Sequence, residues 1–352
     1  MYFLYLLYGM KAALNKSIAL LTAIGVSCCL LLASAGCATS GKSNQIEPAA
    51  GMDSQLAPPS FAPVTFSHPI SPIGDVVRLL GEQTTGGLVL MSGLEERAGA
   101  NFDFRNTPYQ EVVAQLAGAI ECDYLHTPYY YMILPSEYAL LQELTINEYL
   151  DSRHSGLTAS VAFGAKTELY NVLAALGESL DITIIADNFL AEAHCGEMFL
   201  SDAPFPVILE AILRSTRLTP DSFAVENTPE YIFIHTTQNN DTDSRLLNRR
   251  PLTPEQQSLL DRIVSVSLPN ENTAAQTPFT AAPIALRDAL LPLTEQLGIE
   301  IVAHRRLADI PINPCLMKNV RLETALNLLL RQWPLPDFGF EIQENRILLR
   351  EK

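Results

Sequence analysis

The stretch MKNVRLETALNLLL, residues 317–330, decides how the chain is read. It opens as an apolar strand end and passes through a polar residue to Asn319. Apolar residues then recur three to four apart, the period of a helix buried along one side. Two other stretches have the same form, FRNTPYQEVVAQL at 104–116 and LSDAPFPVILEAIL at 200–213. Their corner residues are Asn106 and Asp202. Asn and Asp suit such a corner because a short polar side chain reaches the free N–H groups of a turn or helix start. Pro108 and Pro204 fit the first helical turn, where a missing N–H costs little; Arg321 stands there in the third stretch.

The flanks repeat as well. Upstream lie helix-then-strand units, GDVVRLLGEQTTGGLVLM at 74–91, ELYNVLAALGESLDITIIAD at 168–187 and LRDALLPLTEQLGIEIVAH at 286–304. A short strand around Phe66, Phe163 or Phe279 is expected before each. Downstream lie hairpins, DYLHTPYYYMIL, DSFAVENTPEYIFIH and DFGFEIQENRILL, each two alternating strands around a polar or proline-containing turn. The interval from middle strand to second helix is nearly constant, 87 to 112, 182 to 208 and 299 to 325. These offsets predict an α+β chain of three tandem β-α-β-β-α-β-β modules, each roughly 75 residues with two amphipathic helices on small sheets. The modules are expected at 63–135, 157–236 and 278–352. Between them, 136–156 reads as a linker helix with Ser136 as N-cap, and 237–277 as a linker with a short helix. In that helix Thr253 is the N-cap, Pro254 the first residue and Gln256 completes a capping box.

Residues 18–35, IALLTAIGVSCCLLLASA, form an uncharged apolar run behind Lys11 and Lys16, with Ser34, Ala35 and Gly36 before Cys37. That is the layout of a secretory signal, although the run is also long enough for an anchor helix. It resembles a bacterial lipoprotein signal over 1–36, which implies Cys37 as the lipid-bearing residue; Ser34 replaces the usual Leu. Translation starting at Met10 is an alternative to Met1. Residues 37–62, rich in Ser, Pro, Gly and Ala, read as a flexible tether. GCATSGKS at 36–43 matches the P-loop letters, but Pro48 and Gly51 interrupt the helix such a loop requires.

The chain carries 39 acidic and 23 basic residues, a formal charge of −16, which argues against a nucleic-acid partner. Cys122, Cys195 and Cys315 are too scattered for a disulfide framework and read as small buried hydrophobes. The six histidines fall at no metal-ligand spacing, and His194-Cys195 reads as a surface residue beside a buried thiol. No nucleophile elbow or paired carboxylate stands out, so the sequence selects no catalytic residue, cofactor or metal ligand. Tyr129, Tyr130 and Tyr131 alternate in a strand, which permits core packing or an exposed partner-binding edge.

The repeated corner at Asn106, Asp202 and Asn319 resembles the secretin and TonB N-terminal short domain, whose hallmark is an apolar strand, an Asn or Asp, and a helix starting Thr/Pro-Leu-x-x-Ala-Leu. The stretch at 317–330 matches best and that at 200–213 least. The resemblance implies non-catalytic periplasmic modules that bind an envelope protein, either a secretin-like or TonB-linked assembly or further copies of themselves in a ring. The lipoprotein-signal resemblance of residues 1–36 implies a membrane connection through the Cys37 lipid. Ala38 in place of an inner-membrane retention Asp points to the outer membrane. Secretins follow such modules with a long pore domain; this chain stops at Lys352, so an accessory role is expected, not a channel, with a regulatory or structural lipoprotein unconnected to secretion, or a periplasmic hydrolase, as the alternatives.

Overall fold

The computed structural model describes residues 61–139, 150–237, 245–247, 251–268, 282–333, 338–344 and 346–351. All of them lie in one compact unit, Leu56–Lys352. The signal, Cys37, nearly all of the tether and the strand expected around Phe279 fall outside the described residues. No described helix is long and apolar enough to cross a membrane.

The chain is α+β. Its first segment contains β1 (Val64–His68), α1 (Ile73–Gln83), β2 (Gly87–Leu90), β3 (Phe102–Thr107), α2 (Tyr109–Ala119), β4 (Asp123–His126) and β5 (Tyr130–Leu134). Its second contains β6 (Thr158–Phe163), β7 (Thr167–Glu168), α3 (Leu169–Leu180), β8 (Ile184–Ala186), β9 (His194–Cys195), β10 (Met198–Pro204), α4 (Phe205–Ser215), β11 (Phe223–Asn227) and β12 (Ile232–Thr236). Then come α5 (Pro254–Leu260), β13 (Ile263–Leu268), β14 (Ile284–Ala285), α6 (Leu286–Ala289), α7 (Leu291–Leu297), β15 (Glu300–Ala303) and β16 (Pro311–Ile312). The chain ends with β17 (Cys315–Arg321), α8 (Leu322–Arg331), β18 (Phe338–Gln343) and β19 (Arg346–Glu351).

The strand pairings recur. β1 runs antiparallel to β3, β6 to β10 and β13 to β17. Each hairpin then lays one strand parallel to an earlier one: β5 on β2, β12 on β8 and β19 on β15. The helices form because apolar residues line one face. In α1 these are Ile73, Val76, Val77 and Leu80; in α8, Leu322, Ala325, Leu326 and Leu329, all fully buried. One core runs from Val64 to Ile234 through the first two segments. A second gathers Leu260 to Leu349 with Ile185 and Phe233.

Asn106, Asp202 and Asn319 occupy equivalent places for a reason other than helix capping. All three are left-handed, with φ of 53°, 49° and 51°. Each sits where the antiparallel register slips by a bulge. Asn and Asp tolerate this conformation better than other non-glycine residues. Their amides donate to a hydroxyl on the facing strand: Asn106 to Thr65 at 3.0 Å, Asp202 to Ser160 at 2.9 Å and Asn319 to Ser265 at 3.0 Å. Helices α2, α4 and α8 have no side-chain cap. Pro108 and Pro204 stand one residue before the helix, not in its first turn.

The stretch 237–277 is more than a linker. Its capping box between Thr253 and Gln256 is present. However, β13 lies within it, burying Val264, Val266 and Leu268 and pairing with β17. The first strand of the third segment is therefore Ile263–Leu268, upstream of the expected boundary at 278. Leu246 also bridges Phe340 in parallel, so this stretch adds backbone pairing to the edge of β18. In 136–156, Ser136–Ala139 is helical and starts at Ser136 itself. Residues 140–149 lie outside the described ones, and Asp151 caps the short turn Ser152–Ser155.

Candidate functional site

The segments meet at two joints. At the first joint β2 pairs antiparallel with β10, Val89 opposite Met198 and Leu88 opposite Phe199. This fuses two segments into one five-stranded sheet, β4-β5-β2-β10-β6. The Leu90 N–H donates to the Glu197 carbonyl at 2.8 Å, and the Ser92 N–H to the Ser215 carbonyl at 2.8 Å. The Phe199 ring lies against α1 at Gly81, where a Cβ would come within 2.3 Å of it. The Glu197 carboxylate is buried at the same joint, accepting from the Ala165 N–H at 2.9 Å. Burial pushes its pKa above the ordinary carboxylate value, with the Ala165 N–H and Arg78 opposing.

The tyrosine run belongs to this core. Tyr130 and Tyr131 are buried and Tyr129 is half-buried, so they form no exposed edge. The cause is topological: β5 is flanked by β4 and β2 and carries no outer edge. Tyr131 stacks on His126 with ring centroids 4.3 Å apart. Burial pushes the Tyr130 hydroxyl well up, with Glu210 and Arg214 of the next segment also acting on it. Sequence alternation suggested an outward residue because it reveals one strand, not the sheet on either side.

The second joint is polar. Glu226 on β11 receives Arg331 of α8 at 2.5 Å and the hydroxyl of Tyr231. Arg331 is buried and places its guanidinium carbon 4.4 Å from the Phe233 ring centroid. Burial alone would raise Glu226, but Arg331 and Tyr231 outweigh it and hold the carboxylate below its usual value. Tyr231 is pushed up to about 12 by burial and by donating to that carboxylate. Beside them Arg321 donates to Glu230 at 2.8 Å and the Thr324 hydroxyl donates to the same carboxylate at 2.7 Å. Thr183 Oγ1 accepts the Lys318 N–H at 2.8 Å, and Lys318 pairs with Asp181 at 2.8 Å. A cavity of about 330 Å³ opens between Pro229, Glu230 and Tyr231 on one side and Arg321, Thr324 and Arg331 on the other.

These joint residues escaped sequence reasoning. One signal was available: Glu226 and Glu230 flank one hairpin turn while Arg321 and Arg331 bracket one helix, opposite charges on two neighbouring elements.

Among the described residues Cys122, Cys195 and Cys315 are buried and free. Burial pushes Cys315 up to about 12 and raises Cys122 and Cys195 as well, which suppresses thiolate chemistry. His194 is exposed and Cys195 buried, as their placement in the sequence suggested. Among the described residues no group of three or more His, Cys, Asp or Glu is arranged to hold a metal. No family model, no curated protein and no solved structure matches the chain.

Proposed function

We propose that this chain is a lipid-anchored envelope protein, without catalytic activity, that presents three secretin-N-domain-like modules to the periplasm for protein–protein interaction. The modules are the three β-α-β-β-α-β-β segments, the third starting at β13. They resemble the units that secretin-type and TonB-linked machines use to bind partners, so the partner is placed in such an assembly. The anchor is the lipid on Cys37, and the membrane is the outer one.

One observation carries the module reading. The left-handed corner bonded to a facing hydroxyl recurs at Asn106 and Thr65, Asp202 and Ser160, and Asn319 and Ser265. The second joint supports an interaction role, since Arg321 with Glu230 and Arg331 with Glu226 are engaged in structural pairs across it.

In-cell cross-linking of the full chain, followed by identification of captured envelope proteins, tests the proposal. Capture of a secretin-type or TonB-linked component is expected, and its absence in cells expressing those machines overturns the partner assignment. Cys37→Ser should abolish fatty-acid labelling and release the chain from membranes; unchanged labelling refutes the anchor.

A further inference from the structure

The first joint shows how one segment receives another, and the outer ends of the chain carry the same two edges. β2 offers its free edge to β10; at the far end β15 is the corresponding strand, and among the described residues it pairs only with β19. β10 receives β2; at the near end β3 corresponds to it and, among the described residues, pairs only with β1. Nothing in the strand order prevents β15 of one copy from adding to β3 of the next.

The residues at those edges differ from the ones at the joint. The N–H of the first helical residue returns to a carbonyl 24 positions on in every segment, Ile73 to Arg97, Leu169 to Ala193 and Leu286 to Ile310. Counted from these anchors, Gly81, Gly177 and Thr294 occupy one position. Gly81 leaves room for Phe199, and at Gly177 a Cβ would approach the Ile182 carbonyl oxygen to 2.7 Å. Thr294 uses that space differently. Its Oγ1 accepts the Ile301 N–H at 3.3 Å and donates to the Ile301 carbonyl at 3.4 Å. The His304 N–H donates to Leu349, on the β19 side, and alternation along a strand turns the groups of Ile301 to the opposite, outer side. Thr294 thus occupies the outward bonds of Ile301, one of the residues with which a further strand would pair.

The near end is altered as well. Three residues before the left-handed corners stand Asp103, Phe199 and Leu316. Phe199 and Leu316 are half-buried, whereas Asp103 is exposed and paired to Arg105 at 3.0 Å. A strand docking on β3 would have to desolvate that ion pair, where at the joint it meets a phenyl ring.

We propose that Thr294 and Asp103 close the outer edges of β15 and β3 against a second copy of this chain, so that copies do not join head to tail. Terminal edges of repeat arrays need such closure to avoid open-ended assembly. The proposal rests on the module reading only for the equivalence of positions.

Sedimentation of the full chain in detergent tests it. The double variant Thr294→Gly with Asp103→Phe should form concentration-dependent oligomers at a concentration at least tenfold below any association of the wild type. Ala303→Pro, added at the outer edge of β15, should reverse this. A folded double variant that sediments like wild type overturns the proposal, as does wild-type oligomerisation that Ala303→Pro abolishes. Hydrogen exchange gives a reading that needs no new assembly. The Ile301 amide should exchange about tenfold faster in Thr294→Val and remain protected in Thr294→Ser; equal protection in both refutes the cap. Neither outcome depends on the envelope partner, so a failed partner assignment would appear separately, in the cross-linking.

Discussion

The backbone N–H of Asn319 donates to Ser265 Oγ at 3.0 Å across β13 and β17, fixing the left-handed corner from which α8 departs. Ser265→Ala should therefore cost about 1 kcal/mol in chemical denaturation, the net worth of one hydrogen bond. Ser265→Thr should be near neutral, because threonine holds the equivalent place at Thr65. Asn319→Gly should stay within about 0.5 kcal/mol, while Asn319→Val should lose about 1–2 kcal/mol from left-handed strain. Equal losses in glycine and valine variants would remove the conformational explanation.

The second joint should weaken in acid. Glu226 is held below its ordinary pKa in the folded chain, so its contribution is complete above the unfolded glutamate value. That contribution is lost as pH falls through the lower, folded value. Arg331→Ala should cost about 2–3 kcal/mol at neutral pH, less than a fully buried pair because Glu226 retains some solvent contact. Denaturation from pH 7 down to 3 should show the wild-type loss flattened in Glu226→Gln.

Glu197 predicts the opposite slope. Its folded pKa is raised, so the protonated form is favoured by folding, and stability falls as pH rises from the ordinary glutamate value through the folded one. Glu197→Gln keeps an acceptor for the Ala165 N–H and removes the buried charge. It should raise the melting temperature at pH 7–8 and make little difference near pH 4. A loss of stability at pH 8 would show that the charge is needed.

Gly81→Ala should strain the first joint by about 1–3 kcal/mol, since the added methyl meets the Phe199 ring. Phe199→Ala in the same chain should recover part of that loss, giving a coupling of about 1 kcal/mol in a double-mutant cycle. Additive losses would mean that the helix relaxes away from the ring.

Element order was legible because apolar period and corner residues recur. The corners were found for a partly mistaken reason: Asn and Asp signal a cap and a left-handed turn alike, and only the backbone angles separate them. Thr65, Ser160 and Ser265 give no local signal, since a hydroxyl in an alternating strand normally faces water. β13 was hidden because Ile263 and Val264 continue the apolar period of α5. The joints were illegible for a deeper reason. Gly81 and Phe199, or Glu226 and Arg331, acquire their roles from neighbours more than a hundred residues apart in the chain.

The pairing of β2 with β10 also bears on how the chain is completed during synthesis. When β5 has left the ribosome, β2 already has its parallel neighbour but still lacks the strand for its other edge. The shortest length able to bury this edge and its core reaches past Pro204, well beyond β5. A nascent chain paused between β5 and β10 would expose an apolar edge, the state a chaperone would need to hold.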